Sequence, residues 1–217
     1  MPNLTIMKTK AFIFAFTAIA LMTFIRCDDD DTIPLFQSEK FQTFKEEMRE
    51  LWTDHVAYTR NVIIGVVDDA PGLTEAVNRL LQNQEDIGDA IKPYYGDANG
   101  EALTALLRDH ITIAADLLNA AKIDDTNAFN TASAAWYANA DDIAEFLNTA
   151  NPQHFGLTEW KAHMKEHLDL TLEEAVARFD GNYAADIAAY DKIYDQVLIM
   201  ADMLAEGIAN QFPDKFD

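Results

Sequence analysis

Apolar residues recur at spacings of three and four through almost the whole chain, as in Phe41, Phe44, Met48, Leu51, His55, Tyr58 and Val62. That period places one stripe along an α-helix, and no stretch shows the sustained alternation of a half-buried strand. Only 8 glycines and 6 prolines interrupt 217 residues, so the few breaks delimit the elements. They fall at "DDAPG", at Lys92-Pro93 with "YYGDANG", at "KIDDT", at "NPQHFG" and at "DGN". The breaks predict six helices, over about 38–68, 73–92, 101–121, 126–149, 157–179 and 183–210. The stretch 92–100 reads as a loop, and the aromatic tail "QFPDKFD" as a segment packing back on the helices. The fold class expected is all-α, with three antiparallel hairpins in one closed bundle.

The first 26 residues follow another logic. Lys8 and Lys10 precede fifteen apolar or small residues, Ala11 to Ile25, too few for a span of about 20 residues. A basic start followed by such a run reads as an export signal. Cys27, the only cysteine, follows at once and is itself followed by four aspartates. One cysteine excludes an internal disulfide framework. Its position resembles the lipidated cysteine of bacterial lipoproteins, and "CDDDD" resembles the acidic stretch of Bacteroidetes-type surface lipoproteins. Arg26 departs from the small residue usual at that place, and "AIA" at 18–20 offers a competing cleavage site. The chain thus divides into an export signal (1–26), an acidic tether (27–37) and a helical domain (38–217). The expected location is the bacterial cell envelope, membrane-anchored through Cys27 or through the signal itself.

Loss of residues 1–26 removes Lys8, Lys10 and Arg26 and no acid, leaving 13 basic against 37 acidic residues, a net charge of −24. A surface of that sign repels phosphate backbones, so nucleic acid is excluded as a partner. A protein partner is not specified by the sequence. Hydrophobic residues at 49% are ample for a core.

Three histidines stand where the seams call for leucine. His110 lies among Leu103, Leu106, Ile113 and Leu117, and the same occurs at His55 and His167. They are 55 and 57 residues apart and open the phrases "HVAYT", "HITIA" and "HLDLT"; the partner helices share "NQEDI" and "NADDI", with "IYDQV" as the third counterpart. Counting outward from each turn puts His55 level with Asp86, His110 with Asp142 and His167 with Asp195; Asn83 and Asn139 lie one turn away on the seam. A buried imidazole needs its N–H paired, and a carboxylate at the same height supplies an acceptor. Two arrangements follow. In one, three His–Asp pairs each close within a hairpin, which is the expectation. Alternatively the free nitrogens converge on a transition metal (zinc, copper or iron), with the aspartates as orienting groups or ligands. His163, four residues before His167, shares its helical face. Glu-x-x-His and His-Glu-x-x-His spacings are absent. The function classes open are therefore an envelope protein binding a metal or small ligand between its hairpins, a structural or interaction module, and a metal-dependent hydrolase.

The phrases "LWTDHVAYTRNVII", "NQEDIGDAIKPYYG", "WYANADDIAEFL", "EAVARFDGNYAADI" and "QFPDKF" resemble an uncharacterised family of bacterial helical-bundle proteins over about residues 48–216. Members are sometimes labelled glycosyltransferase or acetylglutamate kinase. Neither activity has its motifs here, since both need strands and glycine-rich phosphate loops. The resemblance implies a helical fold and no particular activity.

Overall fold

A computed structural model describes residues 34–217. The export segment, Cys27 and the tether up to residue 33 lie outside the described residues. Six α-helices form, α1 (Glu39–Asp68), α2 (Leu73–Tyr95), α3 (Asp97–Lys122), α4 (Thr126–Ala150), α5 (Leu157–Phe179) and α6 (Tyr183–Gln211). Among the described residues there is no strand, and no helix is long and apolar enough to cross a membrane.

Each helix packs on the one before it and the one after it, and α6 returns to α1. The six therefore close into an up-and-down ring of three hairpins. The three hairpin turns share one end, and they repeat in detail. Asp69, Asp124 and Gly181 all take the left-handed conformation, with φ of 52°, 58° and 68°, and each lies fourteen residues after a histidine. Left-handed residues end helices by turning the chain away from the ladder. The ends of the hairpins are tied across the ring: the Lys122 ammonium reaches Val66 O at 2.5 Å and the Asp69 carboxylate.

The starts of α1, α4 and α6 are capped by side chains, Ser38 accepting from Phe41 N, Asp125 from Ala128 N and Asn182 from Ala185 N. Caps of these residue types satisfy N–H groups that have no partner within the helix.

Two boundaries differ from the sequence reading. Helix α2 runs through Pro93 to Tyr95, because a proline in the last turn forfeits a single bond and the Gly96 N–H closes the end on Lys92 O at 2.8 Å. Helix α3 begins at Asp97, so "GDANG" is not a loop. Its Gly100 is a packing residue: a Cβ there would stand 2.7 Å from Gly88 O, and one on Gly88 would stand 2.7 Å from Gly100 O. The two glycines let α2 and α3 approach backbone to backbone. At the tether's end, Leu35–Gln37 form a 3-10 turn. The C-terminal tail does fold back, with Phe216 buried against Phe41, Phe44 and Tyr94.

Candidate functional site

The odd helices α1, α3 and α5 run in one direction and carry His55, His110 and His167 at their middles. All three side chains are buried, at 5%, 3% and 4% exposure. The rings do not stay within their own hairpins. His55 and His167 stand with ring centroids 5.7 Å apart, and all three histidines line both of two small cavities along the bundle axis. The histidine layer is the partition between them. The cavity toward the hairpin turns holds about 30 Å3 and is otherwise walled by residues such as Thr59, Thr171 and Trp136. The cavity toward the opposite end holds about 20 Å3, with Met48, Trp52, Gln84, Trp160 and Met164 among its walls. Each has room for about one or two waters.

The expected aspartate partners are overturned. Asp142 and Asp195 are exposed, and Asp86 faces outward, 37% exposed, toward Arg79 and Gln82. Level and face are separate requirements: one step along a helix turns the side chain by about 100°, so a residue at the right height can look away. The partners are amides on the even helices. His110 Nδ1 meets Asn139 Oδ1 at 2.7 Å, and His167 Nδ1 meets Gln196 Oε1 at 3.2 Å, each pair 29 residues apart. Each amide nitrogen in turn donates to a backbone carbonyl four residues before the histidine, Asn139 Nδ2 to Leu106 O (3.1 Å) and Gln196 Nε2 to His163 O (3.0 Å). In the first hairpin the role is divided. Asn83 Nδ2 donates to Leu51 O at 2.8 Å. Gln84 Nε2 gives its two hydrogens to Leu80 O (2.7 Å) and Asn83 Oδ1 (3.0 Å), and stands 3.3 Å from His55 Nδ1.

This arrangement fixes the tautomer of two of the rings. A carbonyl only accepts, so Asn139 and Gln196 must turn their nitrogens to Leu106 O and His163 O and their oxygens to the imidazoles. Those oxygens also only accept, so His110 and His167 carry the proton on Nδ1 and leave Nε2 a bare lone pair, whereas His55 Nδ1 has the Gln84 amide nitrogen beside it. Among the described residues no hydrogen bond reaches any of the three Nε2 atoms. Burial holds all three rings neutral. The pKa of His110 falls to about 4, burial outweighing the Asn139 bond, and that of His167 also falls to about 4 against the Gln196 bond. His55 lies well below the usual value, through burial first and then the neighbouring His167 and His110.

Other polar atoms around the layer are also left over. The indole N–H groups of Trp52, Trp136 and Trp160 and the carbonyl oxygen of Gln84 are buried without partners, and all four residues line one of the two cavities. A native interior pairs nearly all such groups, so this layer has unused bonding capacity. His163 does not join it. Its Nδ1 lies 4.0 Å from Glu166, and only its backbone carbonyl serves the layer. Among the described residues no group of three or more His, Cys, Asp or Glu side chains stands in an arrangement able to hold a metal ion.

Gln84 and Gln196 are the functional residues the sequence reading passed over, and Asn83 and Asn139 were placed but given no role. A signal existed: each sits on an apolar seam 28 or 29 residues beyond a histidine. Comparison of the chain with protein-family models, with curated proteins and with solved structures returns no match.

Proposed function

We propose that the protein is a non-enzymatic binding module of the bacterial envelope, anchored through Cys27, that holds one transition-metal ion at its three-histidine layer. The observation carrying this reading is that three imidazoles from three hairpins line the same two small cavities, and two of them, His110 and His167, are pinned at Nδ1 with no hydrogen bond at Nε2 among the described residues. That is how metal-binding histidines are oriented by their outer partners. Two rings sharing an ion through Nε2, with bonds of about 2.0–2.1 Å at a tetrahedral angle, stand with centroids about 5 to 6 Å apart. The 5.7 Å between His55 and His167 agrees. The third histidine, His110, lines the same cavities. Binding rather than turnover is the reading because the cavities admit bodies the size of one or two waters. Asp86, Asp142 and Asp195 take no part.

A second reading, in which the layer is purely structural and filled by water, is favoured by the absence of a ready three-ligand arrangement among the described residues. Elemental analysis of the full chain purified in detergent separates the two. About one ion per chain is expected, removable by chelator with a fall in melting temperature, since a ligand bound only by the native state stabilises it. His55→Ala, His110→Ala and His167→Ala should each abolish binding. A metal-free protein, indifferent to chelator and to added zinc, copper and iron, would overturn the proposal. Envelope anchoring is tested separately: fatty-acid labelling in the host should mark the wild type and be lost in Cys27→Ser.

A further inference from the structure

We infer that the ion is a soft monovalent one of the Cu(I) class, seated on the side of the histidine layer away from the hairpin turns, with Met48 and Met164 as thioether ligands beside His55 and His167. This rests on the reading above and narrows it. The lining of that cavity contains three imidazoles, two thioethers, two indoles and one amide, and no carboxylate or thiolate. Every donor is neutral, so nothing there offsets the charge of an incoming ion. An uncompensated charge is costly in an apolar interior, and the Born cost grows with the square of the charge. The site is therefore far less hostile to a monovalent cation than to a divalent one. Thioether and imidazole donors together are also the ligands that suit Cu(I), whereas carboxylates and waters suit harder ions.

The placement of the two sulfurs is specific. Met48 lies seven residues before His55, and Met164 three before His167, so both share the inward stripe of their histidine. Trp52 and Trp160 fill the complementary positions, three before His55 and seven before His167. Helices α1 and α5 thus present Met and Trp crosswise beneath the two imidazoles that stand 5.7 Å apart, while α3 offers only Leu103 and Leu107 at the same levels. Met48 and Met164 are 0% and 4% exposed. Neither sulfur has a hydrogen-bond donor among the described residues. By contrast, the equally buried Met200 accepts from Gln196 Nε2 at 3.0 Å and does not line the cavity.

Silver(I), a redox-inert stand-in for Cu(I), is the probe. The full chain is used with Cys27→Ser, so that no thiol competes, and with 13C-labelled methionine methyl groups. One Ag(I) should bind per chain, shifting the Met48 and Met164 methyl resonances and leaving that of Met200 in place. Zn(II) should bind at least about 100-fold more weakly. Met48→Leu with Met164→Leu keeps the volume and the fold and should weaken Ag(I) by about 100-fold or more. Unmoved methyl signals under bound Ag(I), or Zn(II) bound as tightly as Ag(I), would overturn this inference while leaving a histidine metal site standing. Failure of Ag(I), Cu(I), Zn(II) and Fe(II) alike would end both.

Discussion

At its waist the bundle buries imidazoles and amides that carry no charge; one to three turns nearer the hairpin ends it buries ions. Arg60 Nη1 donates to Glu174 at 2.5 Å and to Asp186 at 2.6 Å, and its Nη2 to Asp186 at 3.2 Å. Arg178 donates to Asp186 at 3.2 Å and to Asp68. Tyr190 and Tyr183 lie against the two guanidinium groups, 4.8 Å from their ring centroids. Glu174 and Asp186 are 2% and 1% exposed, as deeply buried as the histidines. In the ionic cluster four carboxylate–guanidinium links tie α1, α5 and α6 together, and Arg178 Nε is left without a partner among the described residues. In the histidine layer one ring nitrogen is spent on position and the other is left open. Equal burial therefore has two uses. The cluster is a fastening, and the layer is the site proposed above.

Acid should produce the largest effect, and it separates the two regions by sign. The histidine pKa is lowered in the fold, so the unfolded chain binds protons first as pH falls below about 6.5. Stability is fully present above that value and is lost down to about pH 4, by about 3 kcal/mol for each of His110 and His167. His55 adds to the loss in the same direction. Glu174 opposes it. Its pKa is raised to about 7, by burial first, against the pull of Arg60; two guanidiniums face three carboxylates, so one acid is in excess. Its contribution is fully present below about 4.5 and lost as pH rises to about 7. Urea unfolding between pH 4 and 8 should show a steep acid loss that becomes steeper in Glu174→Gln. A flat profile in the wild type would mean the rings are not buried neutral.

Breaking the fastening comes next in size. Arg60→Ala strands the Glu174 and Asp186 carboxylates, and removing one partner of a buried ion pair costs about 3–5 kcal/mol. Equilibrium unfolding at pH 7 measures it. Arg60→Met combined with Glu174→Gln and Asp186→Asn should recover much of that loss, because no charge is then left alone. If the single variant costs less than 1 kcal/mol, water reaches the cluster and the contrast with the waist fails.

The fold was legible because helix period and punctuation are local signals. Phe41, Phe44 and Met48 announce their face without knowledge of any other helix, and the closed bundle follows from three short hairpin turns. Pro93 and Gly100 misled because their local preference was outweighed, by position in a last turn for one and by the close approach of α2 and α3 for the other. In the site, the histidines were legible as polar residues on apolar seams. Their convergence was not, since it depends on ring closure between α1 and α6. Charge also biased the choice of partner: Asp86, Asp142 and Asp195 look like better acceptors than amides. A buried carboxylate carries a desolvation cost that an amide avoids, and an amide can bridge ring and backbone at once. The ionic cluster was hidden for the opposite reason, because nothing local links Arg60 to residues 114 and 126 positions away.

The smallest effects test the identity of the partners. Asn139→Leu leaves the His110 Nδ1 proton and the second lone pair of Leu106 O without a partner, at a cost of about 1–3 kcal/mol. It should also free the imidazole to change tautomer, so that 15N chemical shifts of His110 no longer report a proton confined to Nδ1. Asp142→Asn, three residues along the same helix, touches only the solvent face and should stay within about 0.5 kcal/mol, with the His110 shifts unchanged. Asp86→Asn and Asp195→Asn should behave alike. The pair of substitutions on α4 is decisive because the two positions lie within one turn of the same helix and differ in the face they occupy, Asn139 buried and Asp142 exposed. An Asp142→Asn variant that shifts the His110 resonances, beside an Asn139→Leu variant that leaves them in place, would return the carboxylate to the role that the 2.7 Å Asn139–His110 bond gives to the amide.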